Sequence, residues 1–131
     1  MQEIIKFLTD NKVFFLATVD ADQPRVRAMG FVMEFEDRLC FCTSNKKDMY
    51  KQMKANPRVE FCCAAADGTM LRITGNAVFN STTAAKKKAL DTMPVLRNMY
   101  SEDDAIFEIF YLENASAVFQ TMKGEKRIIK L

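Results

Sequence analysis

The chain has 131 residues, 49% of them hydrophobic and 27% charged, with a formal net charge of +2. That is enough material for one domain with one core, and too apolar for a disordered chain. Lysines alternate with Asp and Glu along most of the length, so no concentrated basic face is expected and nucleic acid is not an expected partner.

Nor does any apolar run reach the ~20 residues of a bilayer-spanning helix, and no basic segment followed by an apolar block opens the chain. A cytoplasmic protein without a membrane partner is the expectation.

From the N-terminus, Ile4, Ile5, Phe7 and Leu8 recur at helical spacing across Gln2 to Thr9, which predicts a short amphipathic helix ended by Asp10-Asn11. Val13 to Val19 is β-prone, and a turn at Asp20 to Gln23 leads to Pro24, which opens a strand without losing an interior ladder bond. Arg25 to Glu36 reads as one long strand, and Asp37-Arg38 turns the chain into a third, Leu39 to Cys42. A second amphipathic helix runs from Lys47 to Ala55 and is closed by Asn56-Pro57.

Val59 to Ala65 and Leu71 to Phe79 are strands joined by the hairpin signal Asp67-Gly68, with Gly75 as a bulge or bend. Ser81 reads as the N-cap of a helix over Thr82 to Met93, and Pro94 starts a further helical turn. Ala105 to Tyr111, a turn at Leu112 to Asn114, Ala115 to Gln120 and an edge strand Arg127 to Leu131 complete the chain. Six or more strands at hairpin spacing with a helical insertion predict a single domain, 1–131, mainly β (α+β): an antiparallel barrel with flanking helices.

The four cysteines, Cys40, Cys42, Cys62 and Cys63, lie inside apolar runs, as buried free thiols do, and their spacing is not that of zinc knuckles. With no histidine in the chain, histidine-dependent triads and histidine-ligated metals are excluded.

The candidate chemistry lies between Gln23 and Lys47. Arg25 and Arg27 are two apart, so an extended chain sends both to one sheet face. Gly30, lacking a side chain, lets a flat molecule approach the backbone. Thr43-Ser44-Asn45-Lys46-Lys47 brings hydroxyls, an amide and two ammonium groups to a helix start, and two lysines there oppose the helix dipole and so call for an anion, commonly phosphate. The plainer reading of the arginines is a solvated strand face, and of the methionines core filler.

PRVRAMGF, LCFCTSNKKDMYKQMKANPRV and LRITGNAVF, in that order and spacing, resemble the FMN-binding split-barrel family of pyridoxamine 5′-phosphate oxidase-like proteins. The closing run DDAIFEIFYLENASAVFQTMKGE is similar to its small nitroimidazole-resistance (Nim-type) and general-stress branch. The resemblance implies a six-stranded split barrel, a homodimer, and two FMN sites built from both subunits.

By position it implies that Arg27 begins the flavin-contacting strand, that Ala28, Met29 and Gly30 line the ring with their backbone, and that Thr43 holds the phosphate region. Lys46 and Lys47 stand in for an Arg-Lys pair replaced here by Asp48 and Met49. Gln52 is a further candidate. Met70 takes the place of a glutamine on the ring, with Arg72 on the same face, and Asn98, Met99 and Tyr100 are expected from the partner subunit.

Arg25, Arg27 and Arg72 are the cations expected to stabilise charge on the reduced ring, an effect of about 1 to 4 kcal/mol at ~4 Å. The family's C-terminal arginine and histidine region has no counterpart after Gln120, so vitamin B6 synthesis is not expected.

The resulting expectation is an FMN-dependent oxidoreductase for a small flat acceptor such as a nitroaromatic or quinone, without an acid–base catalytic residue and without a metal. Two alternatives stand beside it. One is a flavin-binding stress or electron-carrier protein; the other is an oligonucleotide-binding barrel that stacks bases on Phe31, Phe35 and Phe41.

Overall fold

In the computed structural model, which describes residues 1–131, a short helix precedes a meandering sheet. The order is α1 (Gln2–Asp10), β1 (Phe14–Asp20), β2 (Gln23–Met29), β3 (Met33–Phe35), β4 (Arg38–Ser44) and α2 (Asp48–Ala55). There follow β5 (Arg58–Ala64), β6 (Met70–Phe79), α3 (Thr83–Thr92), a 3-10 helix over Pro94–Asn98, β7 (Phe107–Gln120) and β8 (Lys126–Lys130). All strand pairs are antiparallel, in the order β2-β1-β5-β6-β7-β4-β3, with β8 added to β7.

Period-two burial sets which face each strand buries. In β1, Phe14, Leu16 and Thr18 point inward while Phe15 is 46% exposed. β1 and β4 are not hydrogen-bonded to each other, yet the rings of Phe14 and Phe41 lie 6.0 Å apart, and Phe41 stacks on Phe61 of β5 at 4.1 Å. Only a sheet curled on itself brings these rings together.

β2 and β3, the two ends of the sheet, are consecutive in sequence but not paired. Residues 30–32 join them covalently where the ladder is interrupted, and this is the split of the barrel. α1, through Ile4 and Leu8, and α2, through Met49 and Met53, pack on the interior cluster. α3 and the 3-10 helix cover the opposite face of β3, β4 and β7 with Ala85, Ala89, Leu90 and Leu96, making a second cluster with Phe31, Met33, Cys40, Phe107 and Ile109. Each fully buried Phe or Leu is worth roughly 1.5–3 kcal/mol of transfer free energy.

The sheet has eight strands rather than six. The long strand expected from Arg25 to Glu36 breaks after Met29, where the chain crosses from one sheet end to the other and buries Val32 in the interior cluster and Phe31 in the cluster under α3. β8 adds a ribbon outside the barrel.

The turn expected at Leu112 to Asn114 is instead the middle of a continuous strand. Asn114 takes a left-handed conformation (φ 53°) within β7, facing the register shift between Thr74 and Asn76 on β6. Gly75 lies in that shift as expected, and a Cβ there would meet Leu112 Cβ at 3.1 Å.

The N-cap of α3 is Thr82, which accepts the Ala85 N–H, and not Ser81. The platform of Phe31, Phe35 and Phe41 is also not on the surface: Phe31 is 5% exposed and Phe41 0%. Both rings belong to apolar clusters, which removes the basis for stacking bases on them.

Candidate functional site

The split in the barrel opens a cleft of about 210 Å³. One wall is the end of β2 and its connector: Ala28, Met29, Gly30 and Phe31. A second is Cys42 and Thr43 of β4 with Lys47, the N-cap of α2. A third, from the end of α3 and the 3-10 segment, carries Met93, Leu96, Met99 and Tyr100. Tyr100 is held in place by stacking on Phe107, centroids 4.4 Å apart and planes 18° apart. The lining is therefore apolar and sulfur-rich on one side, with a cation and a hydroxyl on the other.

Two features mark this cleft as built for a ligand. The Thr43 hydroxyl is the one buried side-chain polar atom in the chain with no hydrogen-bond partner, in a residue only 3% exposed. Such an orphan costs about 1–3 kcal/mol unless something answers it. Gly30 is the second: a Cβ built there meets nothing closer than the Lys12 carbonyl oxygen at 3.9 Å. The chain's own packing leaves the space over Gly30 open, so a flat molecule can approach the backbone there.

A larger hollow of about 440 Å³ between α1 and the β7–β8 ribbon lacks these features. There Arg127 is bound to both carboxylate oxygens of Glu3 and lies over the Phe119 ring, so its polar groups are already paired.

Lys47 starts α2 in an extended conformation and supplies no side-chain acceptor to the helix's first amides, and neither it nor Lys46 has an acidic partner within 4 Å. Free donors and uncompensated positive charge at a helix start favour an anion. Burial pushes the Cys42 thiol up to about 12 despite the Lys47 charge. Burial, then the neighbouring Cys42 and Asp104, raises the Tyr100 hydroxyl above its ordinary value. Both stay protonated at neutral pH, so neither serves as a base there.

Of the residues singled out in the sequence, Ala28, Met29, Gly30, Thr43, Lys47, Met99 and Tyr100 meet in this cleft. Met99 and Tyr100, expected from a second subunit, line the cleft of their own chain.

Arg27 does not line it. Its Nη1 donates to the Leu16 carbonyl (3.0 Å) and Thr18 Oγ1 (2.8 Å), and its Nη2 to Gln52 Oε1 (2.9 Å), which also accepts from Thr18 Oγ1 (2.6 Å). Burial lowers its pKa from the ordinary arginine value. Gln52 thus ties α2 to the β1–β2 hairpin.

Arg25 pairs with Asp20 at 3.2 Å on the exposed hairpin. Ser44 is buried and accepts the Lys46 N–H at 3.2 Å, while the Lys46 side chain is exposed. Asn98 is exposed at the end of the 3-10 helix.

Met70 and Arg72 lie on the outer face of β6. Arg72 is in the same cross-strand row as Cys62, Phe15 and Ala28, three strand spacings from Ala28, or about 14 Å. That distance keeps Arg72 out of its own chain's cleft but leaves it facing the same side of the sheet.

A model of the family described as pyridoxamine 5′-phosphate oxidase matches residues 1–129. The crystal structure of a NimC/NimA family protein from Clostridium acetobutylicum superposes with a TM-score of 0.95 at 38% identity, over 100% of this chain and 92% of that one. This chain belongs to the pyridoxamine 5′-phosphate oxidase family, alongside its NimC/NimA members.

Two more distant structures share the fold. General stress protein 26 from Bacillus anthracis has a TM-score of 0.76 at 16% identity, over 99% and 97% of the two chains. An FMN-binding protein related to pyridoxamine 5′-phosphate oxidase from Nostoc punctiforme has a TM-score of 0.61 at 14% identity, over 99% and 95%. No curated protein matches the sequence.

Within this family fold, sequence reasoning missed Phe31, Cys42, Met93 and Leu96 as cleft residues. Cys42 and Phe31 adjoin residues that were singled out, so adjacency was a usable signal. Met93 and Leu96 reach the cleft only because α3 folds back over β4.

Proposed function

We propose that this chain binds FMN at the barrel split and works as an oxidoreductase on a small, flat, electron-poor acceptor, as a homodimer in the cytoplasm. The observation that carries the reading is the unanswered Thr43 hydroxyl beside Lys47 and the uncapped start of α2, in a cleft whose other walls are apolar. Thr43 and Lys47, with Ser44 and Lys46 next to them, form the phosphate end. Gly30 admits the ring to the backbone of Ala28 and Met29, while Leu96, Met99 and Tyr100 keep water from it.

FMN, when bound, supplies the redox chemistry. The chain contributes binding, orientation and a dry wall. No general base is assigned, since Cys42 and Tyr100 hold their protons, and a cleft without one also suits a second reading as a flavin-binding electron carrier without a dedicated substrate.

The dimer is supported by the outer sheet face. There Phe15 (46% exposed), Val26 (69%) and Ile128 (65%) stand uncovered beside Cys62 and Arg72. Three exposed apolar side chains on one sheet face suit a contact with a second copy. A second copy on that face would bring its Arg72 and Met70 toward a ring resting on Ala28. No helix is long and apolar enough to cross a membrane.

Steady-state assay of the FMN-loaded protein with a nicotinamide donor and a nitroaromatic or quinone acceptor, run with size-exclusion chromatography, tests the proposal. Turnover by a dimer is expected. Loaded dimer that never reduces with donor would leave the carrier reading, and a loaded monomer would refute the shared site.

A further inference from the structure

The loop that presents Lys47 is set by a residue that does not touch the cleft. Asn45 donates its backbone N–H to the Ile106 carbonyl (2.9 Å) and both hydrogens of its side-chain amide, one to the Ala105 carbonyl (2.7 Å) and one to Glu108 Oε2 (2.8 Å). The other Glu108 oxygen accepts Ser81 Oγ–H at 2.6 Å, and Ser81 Oγ accepts the Ile109 N–H at 2.9 Å.

Glu108 is thus hydrogen-bonded to the lysine loop through Asn45, yet it forms no ion pair. It spends both oxygens on neutral donors, and no acidic oxygen lies within 4 Å of the Lys46 or Lys47 ammonium group, although Asp48 follows in the first turn of α2. The same stretch of chain holds the opposite wall. Asp104 Oδ1 accepts the N–H groups of Ile106 (3.1 Å) and Phe107 (2.8 Å), while its Oδ2 accepts that of Ser101 (2.8 Å), the residue after Tyr100.

We infer that Asn45, braced by Glu108, is a positioning residue that fixes the lysine loop so that Lys47 meets the phosphate of a bound ligand. It acts through Lys47 and touches no ligand itself. The inference rests on the FMN reading and deepens it. A brace of this kind sets affinity for the phosphate and not for the ring, because a misplaced loop loses only the contacts made at that end.

The test is titration of the purified protein with FMN and, separately, with riboflavin, which lacks the phosphate. Asn45→Ala is expected to weaken FMN roughly tenfold, about 1.4 kcal/mol, and to leave riboflavin within about twofold. In a Lys47→Ala background the Asn45→Ala change is expected to add little, since coupled residues are not additive.

Glu108→Ala is expected to repeat the Asn45→Ala pattern, and Glu108→Gln, which keeps an acceptor for Asn45, to restore wild-type affinity; these two carry the test if Asn45→Ala does not fold. Equal losses for FMN and riboflavin, or full additivity with Lys47→Ala, would overturn the brace while leaving the FMN reading standing. A wild-type protein that binds neither molecule would overturn both.

Discussion

Two cationic regions of this protein look alike in sequence and differ in what the fold does with them. Arg27 is a lone guanidinium surrounded by acceptors from its own chain: a carbonyl, a hydroxyl and the Gln52 amide. Lys46 and Lys47, on the loop after β4, have no acidic oxygen within 4 Å, although Glu108 is bonded to the residue beside them. The contrast separates charges that hold the barrel together from charges left for a ligand. A cation with intramolecular partners reports on folding; one kept free next to an orphaned hydroxyl reports on binding.

The comparison breaks most visibly in a double replacement. Lys46→Ala with Lys47→Ala is expected to weaken FMN by about a hundredfold, near 2.7 kcal/mol, with the unfolding midpoint of the ligand-free protein nearly unchanged. Loss of fold without loss of affinity would reverse the assignment.

Arg27→Ala is expected to do the opposite, lowering stability by roughly 1–3 kcal/mol through acceptors left unsatisfied, as read by urea denaturation. A variant as stable as wild type but unable to hold FMN would place Arg27 among the phosphate ligands.

Thr43→Val sharpens the contrast further. Replacing the unanswered hydroxyl by a methyl of the same shape is expected to stabilise the ligand-free protein by about 1 kcal/mol while weakening FMN, so the two readouts move in opposite directions. If both fall together, Thr43 is a packing residue.

The smallest expected effect is a pH dependence. Burial alone would raise the Asp104 carboxyl, but the N–H groups of Ser101, Phe107 and Ile106 outweigh it and hold the group below its ordinary value. A carboxyl depressed in the folded state contributes stability above its unfolded value, and that contribution disappears as pH falls through the lowered folded value. Melting curves in acid should therefore lose a part that Asp104→Asn removes at neutral pH; a wild type and variant that differ equally at every pH would contradict it.

Much of the barrel was legible because burial imposes period two on strands such as β1 and β5, and because Asp67-Gly68 and Asn56-Pro57 end elements by local chemistry. The break at Gly30 was not legible. Phe31 and Val32 look like strand residues, and only the need to bury both on the route between sheet ends bends the chain. Asn114 misled for the opposite reason, since a residue that favours turns was used to absorb a bulge inside a strand.

In the site, Gly30, Thr43 and Lys47 were readable because their chemistry is local. The partners that decide the arginine and asparagine roles were not. Gln52 reaches Arg27 across 25 residues of chain and Glu108 reaches Asn45 across 63, and such distant partners are set by strand register and helix docking.

The central claim is that the cleft at the barrel split holds FMN by its phosphate. Titrating the protein with FMN while recording the flavin spectrum, then releasing the chromophore for mass analysis, addresses it most directly. The account predicts saturation at about one FMN per chain, shifted to about hundredfold higher FMN by the Lys46→Ala, Lys47→Ala pair and insensitive to added riboflavin at equal concentration. A protein that stays colourless at saturating FMN, or that yields haem instead, would contradict it.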